Sequence, residues 1–246
     1  MSEIEYAVAG GIATITLAAP ERRNALSVEM SRELADAARA AEADRSVGAV
    51  ILTGGAHFCS GAVRAVLADA GVDPAEDTAY QNLETVYAAF TTIGSIGVPT
   101  IAAIRGAAVG AGLNLALATD LRVVSRTARL LPGFAQIGIH PGGGHFTLLS
   151  RVGGRETAAA LGLFGQEVDG ERAVALGMAW SAYEDDEVED AAGRLAQPLA
   201  NDPDLARRAV ANFRRECAPE GIPWEVAVEM ERPAQMWSLR RKAATS

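Results

Sequence analysis

The sequence has few of the residues and patterns that mark several common classes of protein. Its two cysteines, Cys59 and Cys217, form no CxxC pair and indicate neither a disulfide framework nor a metal site. It has three histidines and no HExxH pattern, so we expect no zinc site. No apolar stretch approaches the roughly 20 residues that a spanning helix needs, and no basic segment precedes an apolar one at the start. We therefore expect a cytoplasmic protein with no metal and no membrane contact.

Nucleotide-binding and serine-hydrolase motifs are also missing. The glycines around Ala111 do not complete a GxGxxG pattern, and no Walker lysine follows them. No GxSxG pattern marks a nucleophilic serine. The net charge of −9 and the lack of a Lys/Arg cluster argue against a nucleic acid as the main partner.

What the sequence does contain is typical of one large globular domain, with 246 residues of which 49% are hydrophobic. Residues 4–8 and 12–17 alternate like strands, and residues 47–52 form an apolar, strand-like run. Ser27 has the position of a helix N-cap, and residues 75–96 follow a long helical pattern. This alternation of strands and helices predicts parallel sheets covered by helices.

The central stretch, residues 101–118, passes from an apolar strand through closely spaced glycines and alanines into a short helix. Small residues allow another group to approach the backbone closely. The first N–H groups of a helix lack partners within it, so such a turn can hold an anion or a developing oxyanion. The alternative is a small-residue stretch that only packs a helix tightly on a sheet.

Four segments, in this order, resemble the motifs of the crotonase superfamily, the enoyl-CoA hydratase/isomerase proteins. They are residues 20–26 (PERRNAL), 58–62 (FCSGA), 106–116 (GAAVGAGLNLA) and 138–144 (GIHPGGG). The resemblance implies an α/β fold, with a crotonase-like spiral of ββα units over residues 1–190. It also implies a C-terminal helical region, residues 191–246, that serves oligomerisation. The expected assembly is a homotrimer or a dimer of trimers.

The resemblance also implies where a substrate lies. In that family two backbone N–H groups hold the carbonyl of an acyl-CoA thioester, and the matching positions are Ala62 and Ala111. Charge that develops on the thioester oxygen is stabilised by about 3–4 kcal/mol per preorganised donor. Ala62 is alternatively an ordinary loop residue. Coenzyme A enters as part of the substrate, so no separate cofactor is expected.

The same matching implies further contacts to acyl-CoA. Arg22 and Arg23 lie where the family approaches the adenine and phosphate end of CoA, and Arg64 is near enough in sequence to meet a phosphate. Guanidinium groups suit phosphates, although exposed loop arginines are common. The remaining predicted contacts are Ala25, Ser60, Gly61, Gly110 and Phe134.

Two positions depart from the hydratase pattern. Asn114 stands where those enzymes carry one catalytic glutamate, and Phe134 (or Gly133, with a one-residue insertion) where they carry the other. Because a positioned acid or base contributes about 10²–10⁴ in rate, ordinary hydration is expected to be weak or absent. One hypothesis makes His140 a replacement base; the alternative is that His140 and His145 only hydrogen-bond the backbone of a glycine-rich loop.

Two functions therefore stay open from the sequence. The first is an enzyme of the lyase class, in fatty-acid or other acyl-CoA metabolism, with a modified acid–base set. The second is a non-catalytic acyl-CoA binding or carrier protein. In either, residues 75–96 and 130–137 are predicted to form the wall around the acyl chain.

Overall fold

The structure is a computed structural model that describes residues 2–73, 76–216 and 223–244. Its strands are Ile4–Ala9 (β1), Ile12–Leu17 (β2), Ala49–Thr53 (β3), Thr100–Ile104 (β4), Ala107–Val109 (β5), Leu121–Ser125 (β6), Arg129–Leu131 (β7), Val168–Asp169 (β8) and Ser181–Tyr183 (β9). Its α-helices are Val28–Ala43 (α1), Arg64–Val72 (α2), Asp77–Ser95 (α3), Ala111–Leu117 (α4), Phe134–Ile137 (α5), His145–Ala158 (α6), Gly170–Ala175 (α7), Val188–Ala200 (α8), Pro203–Glu216 (α9) and Trp224–Ala243 (α10). Short 3-10 helices lie at Pro20–Arg22 and Asp185–Glu187, and a π-helix at Ala159–Leu163.

The strands form two sheets, and the chain passes back and forth between them. One sheet has the order β1-β2-β3-β4-β6-β9, and the other has the order β5-β7-β8. In the larger sheet only the β1–β2 hairpin is antiparallel. The chain leaves the larger sheet after β4 to form β5, returns through α4 to β6, and repeats the excursion with β7 and β8 before β9. The α/β fold predicted from the sequence is confirmed.

Both faces of the larger sheet are buried, because successive side chains of a strand point to opposite sides. Val50 and Leu52 face the main core, whereas Ala49 and Ile51 face a second apolar cluster. That second cluster is completed by α8, which covers this face of the sheet. The helix therefore spans the boundary at residue 190 that divides the two predicted regions of the chain.

Most predicted elements are present with boundaries shifted by a few residues. Ser27 caps α1, since its hydroxyl accepts a hydrogen bond of 2.9 Å from the N–H of Met30, and α3 lies within the predicted helix 75–96. Five elements are absent from the prediction. They are α2, whose apolar residues follow no clear helical stripe, and the short elements β5, β7, α5 and β8, each of two to four residues.

The last helices fold back onto the rest of the chain. On α9, Arg214 binds Asp120 through Nη2 at 2.9 Å and Nε at 3.1 Å. Helix α10 packs against α2, α3 and α6, and its Trp224 donates a hydrogen bond of 3.4 Å to the carbonyl of Gly143. Among the described helices, none has the length and apolar character needed to cross a bilayer. Cys217 lies outside the described residues.

Candidate functional site

A cavity of about 610 Å³ opens between the glycine-rich loops and helices α2, α3, α4 and α10. Every candidate residue named from the sequence lines it, with the exception of His140. These lining candidates are Arg22, Arg23, Ala25, Ser60, Gly61, Ala62, Arg64, Gly110, Ala111, Asn114 and Phe134. Residues of the two predicted wall segments line the cavity as well, namely Leu83, Val86 and Phe90 from α3 and Leu131, Phe134 and Ile137 from the second segment.

Local pairing fixes the direction of the Ala62 amide. Ala62 and Leu26 form an isolated parallel bridge, in which the N–H of Leu26 donates to Gly61 O at 2.7 Å and the N–H of Val63 donates to Leu26 O at 2.9 Å. In parallel pairing the residue between two such bonds turns its own N–H and C=O away from the partner strand. The N–H of Ala62 therefore points away from Leu26. Ala62 is also one of the residues that line the cavity.

The second amide comes from the start of α4. Gly110 is the N-cap, in a conformation with a φ of 53° that favours glycine. The N–H of Asn114 makes the first bond of the helix, to Gly110 O at 3.0 Å, so the N–H of Ala111 precedes the helical ladder. A Cβ added to Gly61 would lie 3.9 Å from the nitrogen of Ala111. The loop and the helix start are therefore neighbours, and both alanines line one cavity.

Asn114 is buried, and both polar ends of its side chain are engaged. Its Nδ2 donates to Gly142 O at 2.8 Å, and its Oδ1 lies 2.7 Å from Nδ1 of His145. Because that oxygen can only accept, Nδ1 of His145 carries the proton. Burial lowers the pKa of His145 to about 3, so the imidazole is neutral at physiological pH. The amide at position 114 thus holds the glycine-rich segment 141–144 in place.

The structure does not bring His140 into the cavity lining. Its Nδ1 lies 2.6 Å from Pro141 O, and its ring packs edge-on against Phe146 with centroids 6.2 Å apart. Phe134 lines the cavity and packs edge-on against His145, with centroids 5.0 Å apart. Among the described residues that line the cavity there is no aspartate or glutamate. The arrangement can hold and polarise a carbonyl, but it offers no carboxylate to move a proton.

Three arginines, Arg22, Arg23 and Arg64, line the cavity. Arg22 is held by Glu3, at 2.5 Å from Nη2, and its Nε donates to Ala25 O at 3.0 Å. Burial raises the pKa of Glu3, but the hydrogen bonds from Arg22 and Ser27 outweigh it and keep the pKa below its usual value. Arg23 and Arg64 are exposed. Arg22 therefore braces the loop, and the other two lining arginines are exposed to solvent.

Sequence reasoning missed Gln235 of the cavity and assigned no polar role to Tyr87, which lies within the predicted wall of residues 75–96. Both are almost fully buried, with 3% of the surface of Gln235 and 4% of that of Tyr87 exposed. Tyr87 lies on the apolar face of α3, where a tyrosine is expected to be part of the core. Gln235 lies near the end of the chain on α10, whose sequence shows little helical amphipathicity. No local signal in the sequence connects Gln235 to the cavity.

Known proteins resemble the whole chain. A family model described as enoyl-CoA hydratase/isomerase matches residues 7–231. The probable enoyl-CoA hydratase EchA14 of Mycobacterium tuberculosis is 41% identical over 215 residues, 87% of this chain and 82% of that protein. The 1,2-epoxyphenylacetyl-CoA isomerase of Escherichia coli is 36% identical over 198 residues, 78% and 74% respectively. The solved structure of an enoyl-CoA hydratase/isomerase from Xanthobacter autotrophicus Py2 superposes with a TM-score of 0.88 at 31% identity, covering 99% of this chain and 91% of that one.

Proposed function

The chain belongs to the enoyl-CoA hydratase/isomerase family, and on that premise we propose that it binds acyl-CoA thioesters with the thioester oxygen between the amides of Ala62 and Ala111. The observation that supports this proposal is that Ala62 and Ala111 line one cavity, the first from a paired loop and the second from a helix start. Two such donors lower the energy of any step that places negative charge on the oxygen.

The rest of the cavity suits the two ends of such a substrate. Arg23 and Arg64, which line the cavity and are exposed, are the cations that we assign to the phosphates of CoA, and Arg22 shapes the loop that carries Arg23. The apolar side chains of α3 and of residues 131–137 surround the acyl group. We further propose that the protein works in acyl-CoA metabolism as a homotrimer or a dimer of trimers, which light scattering would measure.

Hydration of a simple enoyl-CoA is not the reaction that these residues favour. Syn addition of water needs a group that takes a proton and a group that gives one. Asn114 cannot do either, and Phe134 fills the second position with an aromatic ring. We expect crotonyl-CoA hydration to be at least about 10²-fold slower than in a hydratase that carries both glutamates.

A second candidate function is a non-catalytic acyl-CoA binding or carrier protein. It is favoured by the use of both polar ends of Asn114 in holding the chain, and by the lack of a carboxylate among the described lining residues. The hypothesis of a replacement base at His140 competes with it. If His140→Ala keeps full turnover of a substrate that the wild type converts, that hypothesis is wrong.

The Ala111→Pro variant tests the binding mode. Proline is tolerated at the first position of a helix, so this change removes the N–H and leaves α4 able to form. We expect titration calorimetry with crotonyl-CoA to show a large loss of affinity for Ala111→Pro and little change for Ala111→Ser, which keeps the N–H. In the wild type, infrared difference spectra should show the thioester C=O stretch at lower frequency when bound. Equal affinities for both variants, with an unshifted stretch, would overturn the proposal.

Turnover separates the two candidate functions. Loss of the enoyl absorbance of crotonyl-CoA is followed for the wild type and for Asn114→Glu/Phe134→Glu. Tight binding without hydration in the wild type, and hydration gained by the double variant, supports a binding site that lacks only its acid and base. Rapid hydration by the wild type would show that another residue supplies the proton transfer.

A further inference from the structure

Asn24 is a buried polar residue between two residues that line the cavity. Arg23 and Ala25 are part of the lining, whereas Asn24 is not. The φ of Arg23 is 51° and that of Asn24 is 54°, so two successive residues other than glycine adopt the left-handed region. This conformation is uncommon and persists only where the surrounding structure supports it. The chain therefore makes a sharp turn at Asn24 that needs a specific support.

The carboxamide of Asn24 supplies that support. Its Oδ1 accepts a hydrogen bond of 2.8 Å from the N–H of Ala19. Its Nδ2 donates to Gly54 O at 2.9 Å and to His57 O at 2.6 Å, with Phe58 O as a third acceptor at 3.3 Å. Because a carbonyl oxygen only accepts, three carbonyls that converge inside the protein need a donor among them. Asn24 provides this donor and so joins its own loop to the turn that begins at Gly54.

The segment that follows this turn carries Ala62 and is bonded to the loop of Asn24. The N–H of Ser60 donates to Arg23 O at 3.0 Å, and Ala62 pairs with Leu26. Arg23 directly precedes Asn24, so the direction of its carbonyl depends on the left-handed turn. The position of the Ala62 amide therefore depends on the turn that Asn24 holds.

The other edge of the same segment is bonded to the chain that leads to Ala111. Three backbone hydrogen bonds of 2.9 Å join the two, from the N–H of Phe58 to Arg105 O, from that of Cys59 to Ala107 O, and from that of Val109 to Cys59 O. The segment with Ala62 thus lies between the loop of Asn24 on one side and β5 on the other. Only the first of these two contacts depends on Asn24.

We propose that Asn24 is a positioning residue of the acyl-CoA site, whose carboxamide sets the position of the Ala62 amide relative to that of Ala111. Donors stabilise charge on an oxygen only when they are held where that oxygen lies. Loss of the carboxamide leaves three carbonyls without their shared donor and lets the loop relax on the Ala62 side alone. Polarisation of the thioester should then fall more than binding of the rest of the ligand. This inference rests on the proposed function, since it assumes that the two amides hold the thioester oxygen.

The test compares two ligands that differ only at the carbonyl. Butyryl-CoA has the thioester oxygen, whereas S-butyl-CoA has a CH₂ group in place of the C=O and the same chain length. We expect titration calorimetry to show that the wild type prefers butyryl-CoA by about tenfold or more, as two net hydrogen bonds supply. Infrared difference spectra should show the C=O stretch of bound butyryl-CoA at lower frequency than in solution.

The first variant is Asn24→Gly, which removes the carboxamide and keeps a residue that adopts a positive φ. We expect its preference for butyryl-CoA to fall to about threefold or less, since less than one net hydrogen bond remains. The C=O stretch should return toward its frequency in solution. The affinity for S-butyl-CoA should stay close to that of the wild type, which also shows that the variant is folded.

A second variant and a control complete the set. Asn24→Asp keeps an acceptor for the N–H of Ala19 and lacks the donor, so it should lose the preference as Asn24→Gly does. The control is Arg214→Lys, because Arg214 is bonded to Asp120 and does not line the cavity. This variant should lose stability and keep the wild-type preference.

The outcomes separate this inference from the proposed function. If the wild type binds both ligands equally well and the C=O stretch is unshifted, both are wrong. If the wild type has the preference and the two Asn24 variants keep it, the positioning role is overturned and the proposed binding mode stands. If neither Asn24 variant binds either ligand, Asn24 supports the fold as a whole, and the positioning role is overturned as well.

Discussion

Nδ1 of His145 donates a hydrogen bond of 2.7 Å to Oδ1 of Asn114 inside the protein. The other end of the amide, Nδ2, binds Gly142 O at 2.8 Å. The two bonds define each other: the carbonyl of Gly142 orients the amide, and the amide sets the tautomer of the imidazole. This connection links α4, α6 and the glycine-rich segment that forms one end of the cavity.

His145 should make the stability of the protein fall as the pH is lowered. Burial holds its folded pKa at about 3 against an ordinary value of 6.5. Between these values the unfolded chain takes up a proton that the folded chain does not, so acid favours unfolding. Above pH 6.5 His145 is neutral in both the folded and the unfolded chain, so it no longer lowers the free energy of unfolding. Below pH 6.5, the free energy of unfolding should fall by about 1 kcal/mol per pH unit from this group alone.

Urea unfolding of the wild type and His145→Gln at pH 7, 6 and 5 measures this contribution. Carboxylates titrate alike in both proteins, so the difference between the two slopes belongs to His145. We expect the variant to be less stable at pH 7 and less sensitive to acid. Parallel slopes would show that the imidazole is not held neutral.

Asn114→Asp should lower the free energy of unfolding by about 1–3 kcal/mol. The aspartate keeps an acceptor for His145, but it has no donor for the carbonyl of Gly142. Asn201→Asp is the matched control, because Asn201 is exposed and uses only its Oδ1 to accept from Gln197. The control should stay within about 0.5 kcal/mol of the wild type. A similar small effect at both positions would contradict the role given to the Asn114 amide.

Cys59 should be inert in the folded protein. Burial raises the pKa of its thiol to about 12, and the thiolate is the species that alkylating reagents attack. We expect mass spectrometry to find the Cys59 peptide unmodified after iodoacetamide treatment at pH 8 and fully modified when 8 M urea is present. Rapid labelling of that peptide under native conditions would show that the loop carrying Ala62 opens.

Arg214→Lys should weaken the attachment of α9 without affecting ligand binding. Lysine keeps the charge, but it cannot reproduce the two bonds to Asp120 together with the 2.7 Å bond to Ile96 O. A loss of about 1–2 kcal/mol in urea unfolding is expected. Arg39→Lys, at an exposed i,i+3 pair with Asp36, is the control and should change little. Equal losses of stability in Arg214→Lys and Arg39→Lys would mean that the guanidinium geometry of Arg214 contributes nothing beyond its charge.

The sequence predicts the cavity well where its residues are close together in the chain. Gly61, Ala62, Gly110 and Ala111 are marked by small residues in two short motifs, and local pairing brings them together. The need for small residues is physical: a Cβ at Gly112 would strike the backbone and sulfur of Cys59. Gln235 was not predictable, since its contact with Gly142 joins residues far apart in sequence.

The hypothesis of a replacement base at His140 rests on the position of that residue along the sequence. The structure shows that His140 and His145 have different surroundings. His140 lies within the fourth motif, and His145 directly follows it. His145 is turned inward by the start of α6 and bonded to Asn114, whereas His140 lies against Pro141 and Phe146, away from the lining. Side-chain direction in a segment with several left-handed glycines depends on backbone angles that residue type alone does not give.

The position of Gln235 on the last helix has a consequence for biosynthesis. The wall of the cavity includes residues from Arg22 to Gln235, so a ribosome must release the chain through Gln235 before the cavity is closed. A nascent chain halted earlier would present Tyr87 and Gly142 to solvent instead of to their late-arriving neighbour. Ligand affinity can accordingly serve as a reporter that α10 has been synthesised and has folded onto the cavity.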